Sequence, residues 1–331
     1  MVKKIAIITI NKPSLESAKR LVKYLEEFEV DIYSKEEFNT FNKLDDILEK
    51  VWRGYDAVIA ILAIGAVVRK FAPFLKDKSK DPGVVVINLE LNRVIPLLGG
   101  HLGGANFLAE LLCDRIDGCI NFVTTATDQT KTLAFEMFAK KRGWRIENLK
   151  ALANISNRLL NGKKVKVATY SSIFESIEDK RNLELVGFDK IDSDTVVIAY
   201  KKSKSLTLLP QVYIGIGCNR GTRKDSIKKA FFEFLAYHDI KLEDVGGLAS
   251  FEAKSDEVGL LEFASEMKLN IKFFKKDDIN SLEKDFSDSA STKFFGLKGV
   301  AEPSSVLASE YKELVFKKIS YFGEVTVAGS L

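Results

Sequence analysis

The sequence predicts an α/β protein: two open three-layer α/β domains joined by a smaller α/β middle segment. Three observations carry that expectation. Short β-rich runs alternate with amphipathic helical stretches at both ends of the chain. The run "YDAVIAILA" is continuously apolar, as a parallel strand covered on both faces must be. And 331 residues are long for a single core, so the chain should divide, with boundaries expected at 1–143, 144–208 and 209–331.

The elements follow in order. "KKIAIITI" reads as a strand and "NKPS" as a break. "LESAKRLVKYLEEF" then places apolar residues at helical spacing. "VDIYS" is a second strand, "KLDDILEKVW" a helix and "YDAVIAILA" a buried strand ending at Gly65, where "GAVVRKFAPFL" starts a helix. "GVVVINLELNRVIPLL" reads as two strands joined by a turn at Glu90 to Asn92. "HLGGANFLAELLCDRI" is a helix, "CINFVTT" a strand and "TKTLAFEMFAKKRG" a helix. In the middle, "NISNRLLNGKKVKVATYS" supplies a helix and a strand and "DTVVIAYKK" another strand, while "KKSKSLTLLP" reads as a polar linker. A second α/β pattern starts at "QVYIGIGCNRGTRKDSIKKAFFEFLAYH". It continues through helices in "EVGLLEFASEMK", "DDINSLEKDF" and "EPSSVLASE" and strands in "NIKFF", "ELVFKKIS" and "GEVTVAGS".

Composition narrows the function. Hydrophobic residues make up 46% of the chain and charged residues 29%, the profile of an ordinary globular protein. Fifty basic residues stand against 46 acidic ones, a net charge of +4. That excess is too small to announce nucleic acid but suits an acidic small molecule. No apolar run is long enough to span a bilayer or to serve as a secretory leader, so a cytoplasmic protein without membrane contact is expected. Cys113, Cys119 and Cys218 show no CxxC spacing and cannot all pair, so neither disulfides nor a structural zinc site is expected.

Four loops are candidates for chemistry, on the expectation that ligands of an open α/β sheet bind at the carboxyl ends of strands. In the first, Arg69 offers a planar fork suited to a carboxylate; a solvated surface arginine is the plainer reading. The second is "IPLLGGHLGGANFLAELL", where Gly99, Gly100, Gly103 and Gly104 surround His101, one of two histidines in the chain. Glycines let a ligand approach the backbone. Gly103 and Gly104, in the first turn of a helix, leave its N–H groups open to a ligand, with Asn106 close behind. His101 beside that helix start is a candidate general base, with the Gly103 and Gly104 N–H groups receiving developing negative charge. The third, "FVTTATDQTK", offers Thr124, Thr125 and Asp128, the last equally a plain helix cap. The fourth, "YIGIGCNRGTRKDS", has strand, glycine-rich turn and helix in the order of an anion-binding loop, with Gly215, Gly217, Arg220, Gly221, Thr222 and Arg223 in reach. Cys218 reads as a buried thiol rather than a nucleophile. Lys254 and Glu257 follow in "FEAKSDEVGL". Glu302, at a helix start, is a second acid–base candidate, though each of these three is individually an ordinary capping or surface residue.

Taken in this order, "GAVVRKFAPFLKDKSKDPGVVVI", "RVIPLLGGHLGGAN", "TTATD", "GIGCNRGT", "LASFEAKSDEVGLLEFA", "GVAEPSSVLAS" and "VTVAGS" resemble the CbiG family of anaerobic cobalamin biosynthesis, cobalt-precorrin-5A hydrolases. The resemblance touches both terminal domains. Asn219 stands where the family would carry arginine, and the middle segment holds no motif that assigns it a role. The resemblance implies opening of a δ-lactone by water with loss of acetaldehyde, giving cobalt-precorrin-5B. The cobalt would be carried by the substrate, so no cofactor is needed. A polyanionic cobalt-tetrapyrrole is then the implied partner. Contacts with neighbouring pathway enzymes and a homodimer stay open. Two alternatives differ in class: a non-catalytic carrier of a tetrapyrrole intermediate, and an NAD(P)-binding oxidoreductase built on "GIGCNRG".

Overall fold

The structure, a computed structural model, describes residues 2–77, 80–124, 132–287 and 296–331. The chain forms two compact units, Met1–Lys141 and Arg142–Leu331.

The first unit is built on one sheet. Its strands are β1 (Lys4–Ile8), β2 (Glu29–Ser34), β3 (Asn39–Thr40), β4 (Ala57–Ala60), β5 (Gly83–Ile87), β6 (Arg93–Leu98) and β7 (Ile120–Asn121). They lie in the order β3-β2-β1-β4-β5-β6-β7. The first five are mutually parallel, whereas β6 runs antiparallel to β5. Strand alternation divides the core. Ile5, Ile7 and Ile59 face one layer, with Leu15, Ala18 and Leu21 of α1 (Lys12–Leu21) and Leu108 and Leu112 of α4 (Ala105–Arg115). Ala6, Ile8 and Val58 face the other, with Ile47 and Val51 of α2 (Asp45–Gly54) and Val67 and Phe71 of α3 (Ile64–Phe71). That is a three-layer sandwich, buried on both faces as the apolar strands required. A short helix, α5 (Phe135–Lys141), closes the unit.

Three local expectations are corrected. "NKPS" does not break the chain: Asn11 caps α1 by accepting the Ser14 N–H at 3.0 Å, and Pro13 occupies the first turn, where its missing donor costs nothing. α4 begins at Ala105 rather than His101, because Gly104 is left-handed at φ 85° and ends the preceding loop. And Cys113 and Cys119 form a disulfide, their Cα atoms 4.7 Å apart. The end of α4 and the turn after it bring together two thiols that motif spacing alone does not pair.

The second unit holds two five-stranded sheets. The middle segment builds β8 (Arg145–Glu147), β9 (Val165–Thr169), β10 (Leu183–Val186), β11 (Thr195–Ile198) and β12 (Leu206–Leu209), in the order β10-β9-β11-β12-β8. α6 (Leu152–Leu160) and α7 (Ser171–Glu175) connect them. The supposed linker thus contains β12, whose four residues are all buried. The other sheet has β13 (Val212–Cys218), β14 (Val245–Phe251), β15 (Ile271–Phe274), β16 (Leu314–Tyr321) and β17 (Val325–Ser330), in the order β15-β14-β13-β17-β16. Its helices are α8 (Lys224–Tyr237), α9 (Val258–Met267), α10 (Lys276–Asn280) and α11 (Ala301–Ala308). Inside this unit the Arg145 guanidinium of β8 bridges to Asp244 beside β14 at 2.7 Å, tying the two sheets. No helix among the described residues is long and apolar enough to cross a membrane.

Candidate functional site

The reversal of β6 decides where the glycine loop lies. β6 ends where β1, β4 and β5 begin, so "GGHLGG" emerges at the amino edge of the parallel strands, not the carboxyl edge. Its glycines serve that docking. Gly99 is left-handed at φ 61°, and a Cβ there would meet the Pro82 carbonyl at 2.8 Å. A Cβ on Gly103 would sit 2.7 Å from the Gly83 nitrogen, and one on Gly100 would sit 2.8 Å from Asn106 Oδ1. The space that these glycines were expected to keep for a ligand is filled by the protein's own backbone and by the buried Asn106. The expected pair of N–H donors is also halved: the Gly104 N–H is spent on the His101 carbonyl at 3.1 Å. The Gly103 N–H makes no such bond among the described residues.

What the loop presents is His101. Its Nδ1 lies 2.9 Å from Oε1 of Glu136 on α5, with side chains only 13% and 9% exposed. Glu136 Oε2 is buried with no hydrogen-bond partner among the described residues. A carboxylate so placed spends one oxygen on the imidazole and leaves the other unused by the described residues. Four residues on, one helical turn, Lys140 directs its ammonium to the Leu102 carbonyl. Burial lowers the Lys140 pKa from the ordinary lysine value, partly offset by the nearby Asp56 carboxylate. One helix therefore sets a carboxylate on His101 and a cation on the residue beside it. Neither Glu136 nor Lys140 stands out in the sequence. The one available signal was their i, i+4 spacing on a helix with a buried face.

A cavity of about 690 Å³ opens against the residues that adjoin this pair, Leu102 after His101 and Lys140 one turn after Glu136, although neither His101 nor Glu136 itself lines it. Leu102, Gly103 and Lys140 form one wall, and Trp52 and Phe74 form another, their ring centroids 6.2 Å apart. Two of its acids are tied to backbone: Asp56 accepts the Lys3 and Lys4 N–H groups at 2.8 and 2.9 Å, and Asp81 accepts that of Lys76.

The other candidates lie elsewhere. Arg69 is exposed and donates to the Gly65 carbonyl of its own helix at 3.0 Å; it does not line the cavity. Thr124 is exposed, while Thr125 and Asp128 fall outside the described residues. In the second unit, Gly215 and Gly217 are packing glycines. A Cβ on Gly215 would collide with the Ala301 carbonyl of α11, and one on Gly217 with Thr326 Oγ1 at 2.5 Å. Arg220, Gly221, Thr222, Lys254 and Glu257 do come together. Buried Glu257 accepts from the Gly221 N–H at 2.9 Å and pairs with Arg220 at 3.1 Å and Lys254 at 3.3 Å. Thr222 donates to the Asn219 carbonyl at 3.0 Å. This cluster largely satisfies itself, with Arg220 also on Asp256 at 2.6 Å. Burial pushes the neighbouring Cys218 thiol up to about 11, the state of an inert thiol. Glu302 is buried and accepts the Ser287 N–H at 2.6 Å, the Ser287 hydroxyl at 2.8 Å and the Lys318 N–H at 2.9 Å. A carboxylate with those bonds made is an anchor for two chain segments. Among the described residues no three His, Cys, Asp or Glu side chains converge on a metal position.

Comparison with known proteins covers nearly the whole chain. Residues 46–128 match the family described as cobalamin synthesis G N-terminal, 133–207 the cobalamin biosynthesis central region, and 212–329 the cobalamin synthesis G C-terminus. A protein of Priestia megaterium named "Cobalt-precorrin-5A hydrolase" is 30% identical over 98% of this chain and 94% of its own length. A Methanocaldococcus jannaschii protein named "Probable cobalt-precorrin-5A hydrolase" is 30% identical over 81% of both chains. One from Salmonella typhimurium LT2 named "Cobalt-precorrin-5A hydrolase" is 29% identical over 77% of both.

Proposed function

Because the chain belongs to the cobalamin synthesis G (CbiG) family, we infer that it is a cobalt-precorrin-5A hydrolase, opening the δ-lactone of a cobalt-tetrapyrrole with water and releasing acetaldehyde. The geometric observation that supports this reading is the buried His101–Glu136 pair beside the cavity.

The chemistry follows from those groups. Glu136 on Nδ1 selects the tautomer with the proton on that nitrogen, so the proton taken from water goes to Nε2. The imidazolium so formed is stabilised by the carboxylate at 2.9 Å. Water's oxygen adds to the lactone carbonyl, and the oxygen that becomes negative meets the Gly103 N–H and the Lys140 ammonium, both on the cavity wall. Collapse expels the ring oxygen as an alkoxide. That alkoxide reforms a carbonyl as acetaldehyde departs, its electron pair passing to the macrocycle. Cobalt arrives within the substrate, and in this reading the chain supplies no cofactor of its own and works in the cytoplasm.

The test is anaerobic incubation of the purified protein with cobalt-precorrin-5A, following acetaldehyde with alcohol dehydrogenase. Release proportional to enzyme, abolished in His101→Ala, is expected. Binding of the substrate without acetaldehyde would instead favour a carrier. Undiminished turnover by His101→Ala would remove the base assignment while leaving the hydrolase reading.

A further inference from the structure

We propose that the cavity at the amino edge of the first sheet is the seat of a flat, carboxylate-fringed ligand, whose face lies on Trp52 and Phe74 and whose rim carboxylates are held by Lys76, Lys80 and Lys140. The proposal rests on the hydrolase reading for the identity of that ligand, but its chemistry is argued from the cavity alone.

Size comes first. About 690 Å³ lies within the range of small-molecule sites and suits a large, partly exposed ligand better than a single metabolite-sized one. Shape comes next. Trp52 and Phe74 are both half-buried and line the cavity with ring planes inclined by 35°, the indole packing on Phe71 as well at 5.3 Å. Half-buried aromatic faces at a cavity wall offer apolar area to a conjugated ring at little entropic cost.

Charge is the third observation. The cavity carries acids as well as bases, but they are not in the same state. Asp56 and Asp81 are engaged by backbone N–H groups, and Glu49 is paired with Arg53 at 2.7 Å. Lys76 and Lys80 have no ion-pair partner for their ammonium groups among the described residues, and Lys140 reaches only a carbonyl. Lys76 and Lys80, without a carboxylate partner among the described residues, and Lys140, held on a carbonyl with Asp56 nearby, thus share the cavity lining with the aromatic wall. That arrangement selects an anion with several separated negative groups on a planar frame, rather than a phosphate, which would call for convergent donors. Lys140 and Gly103 line the cavity, and Lys140 holds the carbonyl of Leu102, the residue after His101, so a ligand seated here lies against two of the groups assigned to the chemistry.

The cavity is tested with a polycarboxylate porphyrin, uroporphyrin, as the probe. The chain has two tryptophans, Trp52 and Trp144. Trp144→Phe therefore leaves Trp52 as the reporter, and quenching of its fluorescence on titration locates the probe. Affinity is read independently from the porphyrin's Soret absorbance with the unmodified protein, so the result survives if Trp144→Phe folds poorly. Lys76→Gln combined with Lys80→Gln is expected to weaken binding about tenfold, since two carboxylate contacts of about 0.7 kcal/mol each are lost. It should also flatten the salt dependence, while the paired Arg substitutions retain affinity. A tetracationic porphyrin should not bind. Equal affinity in the Gln variant, or no quenching of Trp52 while the Soret band shifts, overturns the proposal. With cobalt-precorrin-5A, the Gln variant should raise KM more than it lowers kcat. Normal KM in an active variant defeats the cavity assignment and leaves the hydrolase reading. Absence of acetaldehyde from the wild type defeats the hydrolase reading, and the porphyrin titration still decides the cavity.

Discussion

Glu136→Gln is the substitution that interrogates the chemistry most directly, because it keeps the side chain's shape and removes only its charge. In the native protein the carboxylate lies 2.9 Å from Nδ1, with both partners nearly excluded from water. When His101 takes a proton in the transition state, an imidazolium forms with its charge centre about 4 Å from that of the carboxylate. At an effective dielectric of about 20 the attraction is about 4 kcal/mol. At about 1.4 kcal/mol per decade, losing it costs roughly 10³-fold in kcat. The glutamine amide can still accept from Nδ1–H through its oxygen, which returns part of that loss, so a fall of about 10²- to 10³-fold is expected. The assay is anaerobic acetaldehyde release at saturating cobalt-precorrin-5A, with a thermal melt of the same preparation. The melting temperature should change little, since the side chain is nearly isosteric and Oε2 is unpartnered in the native protein among the described residues. A kcat within tenfold of wild type, with His101→Ala inactive, refutes the electrostatic role of Glu136.

Three further outcomes are expected. Gly215→Ala sets a Cβ into the Ala301 carbonyl, and no flexible side chain is there to yield. Its thermal melt should show a loss of at least about 3 kcal/mol, or an insoluble protein. Glu302→Gln places an amide where three donors converge; it should lower stability by about 1–3 kcal/mol with kcat changed far less. Unchanged melting with lost turnover would return Glu302 to the chemistry. The Cys218 thiol, pushed up to about 11 by burial, is almost wholly protonated at pH 8. Iodoacetamide should therefore label it slowly in the native protein and quickly after denaturation, and Cys218→Ala should leave acetaldehyde release unaltered. Rapid native labelling would contradict the burial argument.

How much of this was legible in the sequence depended on whether the signal was local. Apolar strands and amphipathic helices announce themselves by period, so both terminal α/β patterns and the hairpin in "GVVVINLELNRVIPLL" were readable. β12 was not, because lysines and serines precede "LTLL" and hide a buried strand behind a polar flank. The glycines of "GIG" looked like a phosphate loop, since a close helix and a close ligand make the same demand on a strand: no side chain. Only the neighbour distinguishes them, and at Gly215 the neighbour is α11. Glu136 and Lys140 were invisible for a related reason. Their importance lies in which loop α5 faces, and nothing in "AFEMFAKK" records that.

The misplaced edge is the most instructive error, because the information needed to avoid it was present. Four loops were expected at the carboxyl ends of strands, the glycine-rich one among them, yet the hairpin between β5 and β6 reverses the chain, with Leu91 left-handed at φ 61° in its turn. Any loop following β6 must therefore emerge where the parallel strands begin. Arg69, on the helix that starts at the carboxyl end of β4, and His101, after β6, thus follow strand ends at opposite edges of one sheet. They could share a ligand only across its full width. The lysines that line the cavity come instead from segments that flank the amino edge: Lys76 and Lys80 before β5, and Lys140 from α5. A hairpin within an otherwise parallel sheet thus transfers a glycine-rich loop from the edge where ligands usually bind to the opposite one. On the proposed reading the residues suited to an anionic ligand are then those that precede the strands, Lys76 and Lys80 of "FLKDKSKDPG" among them.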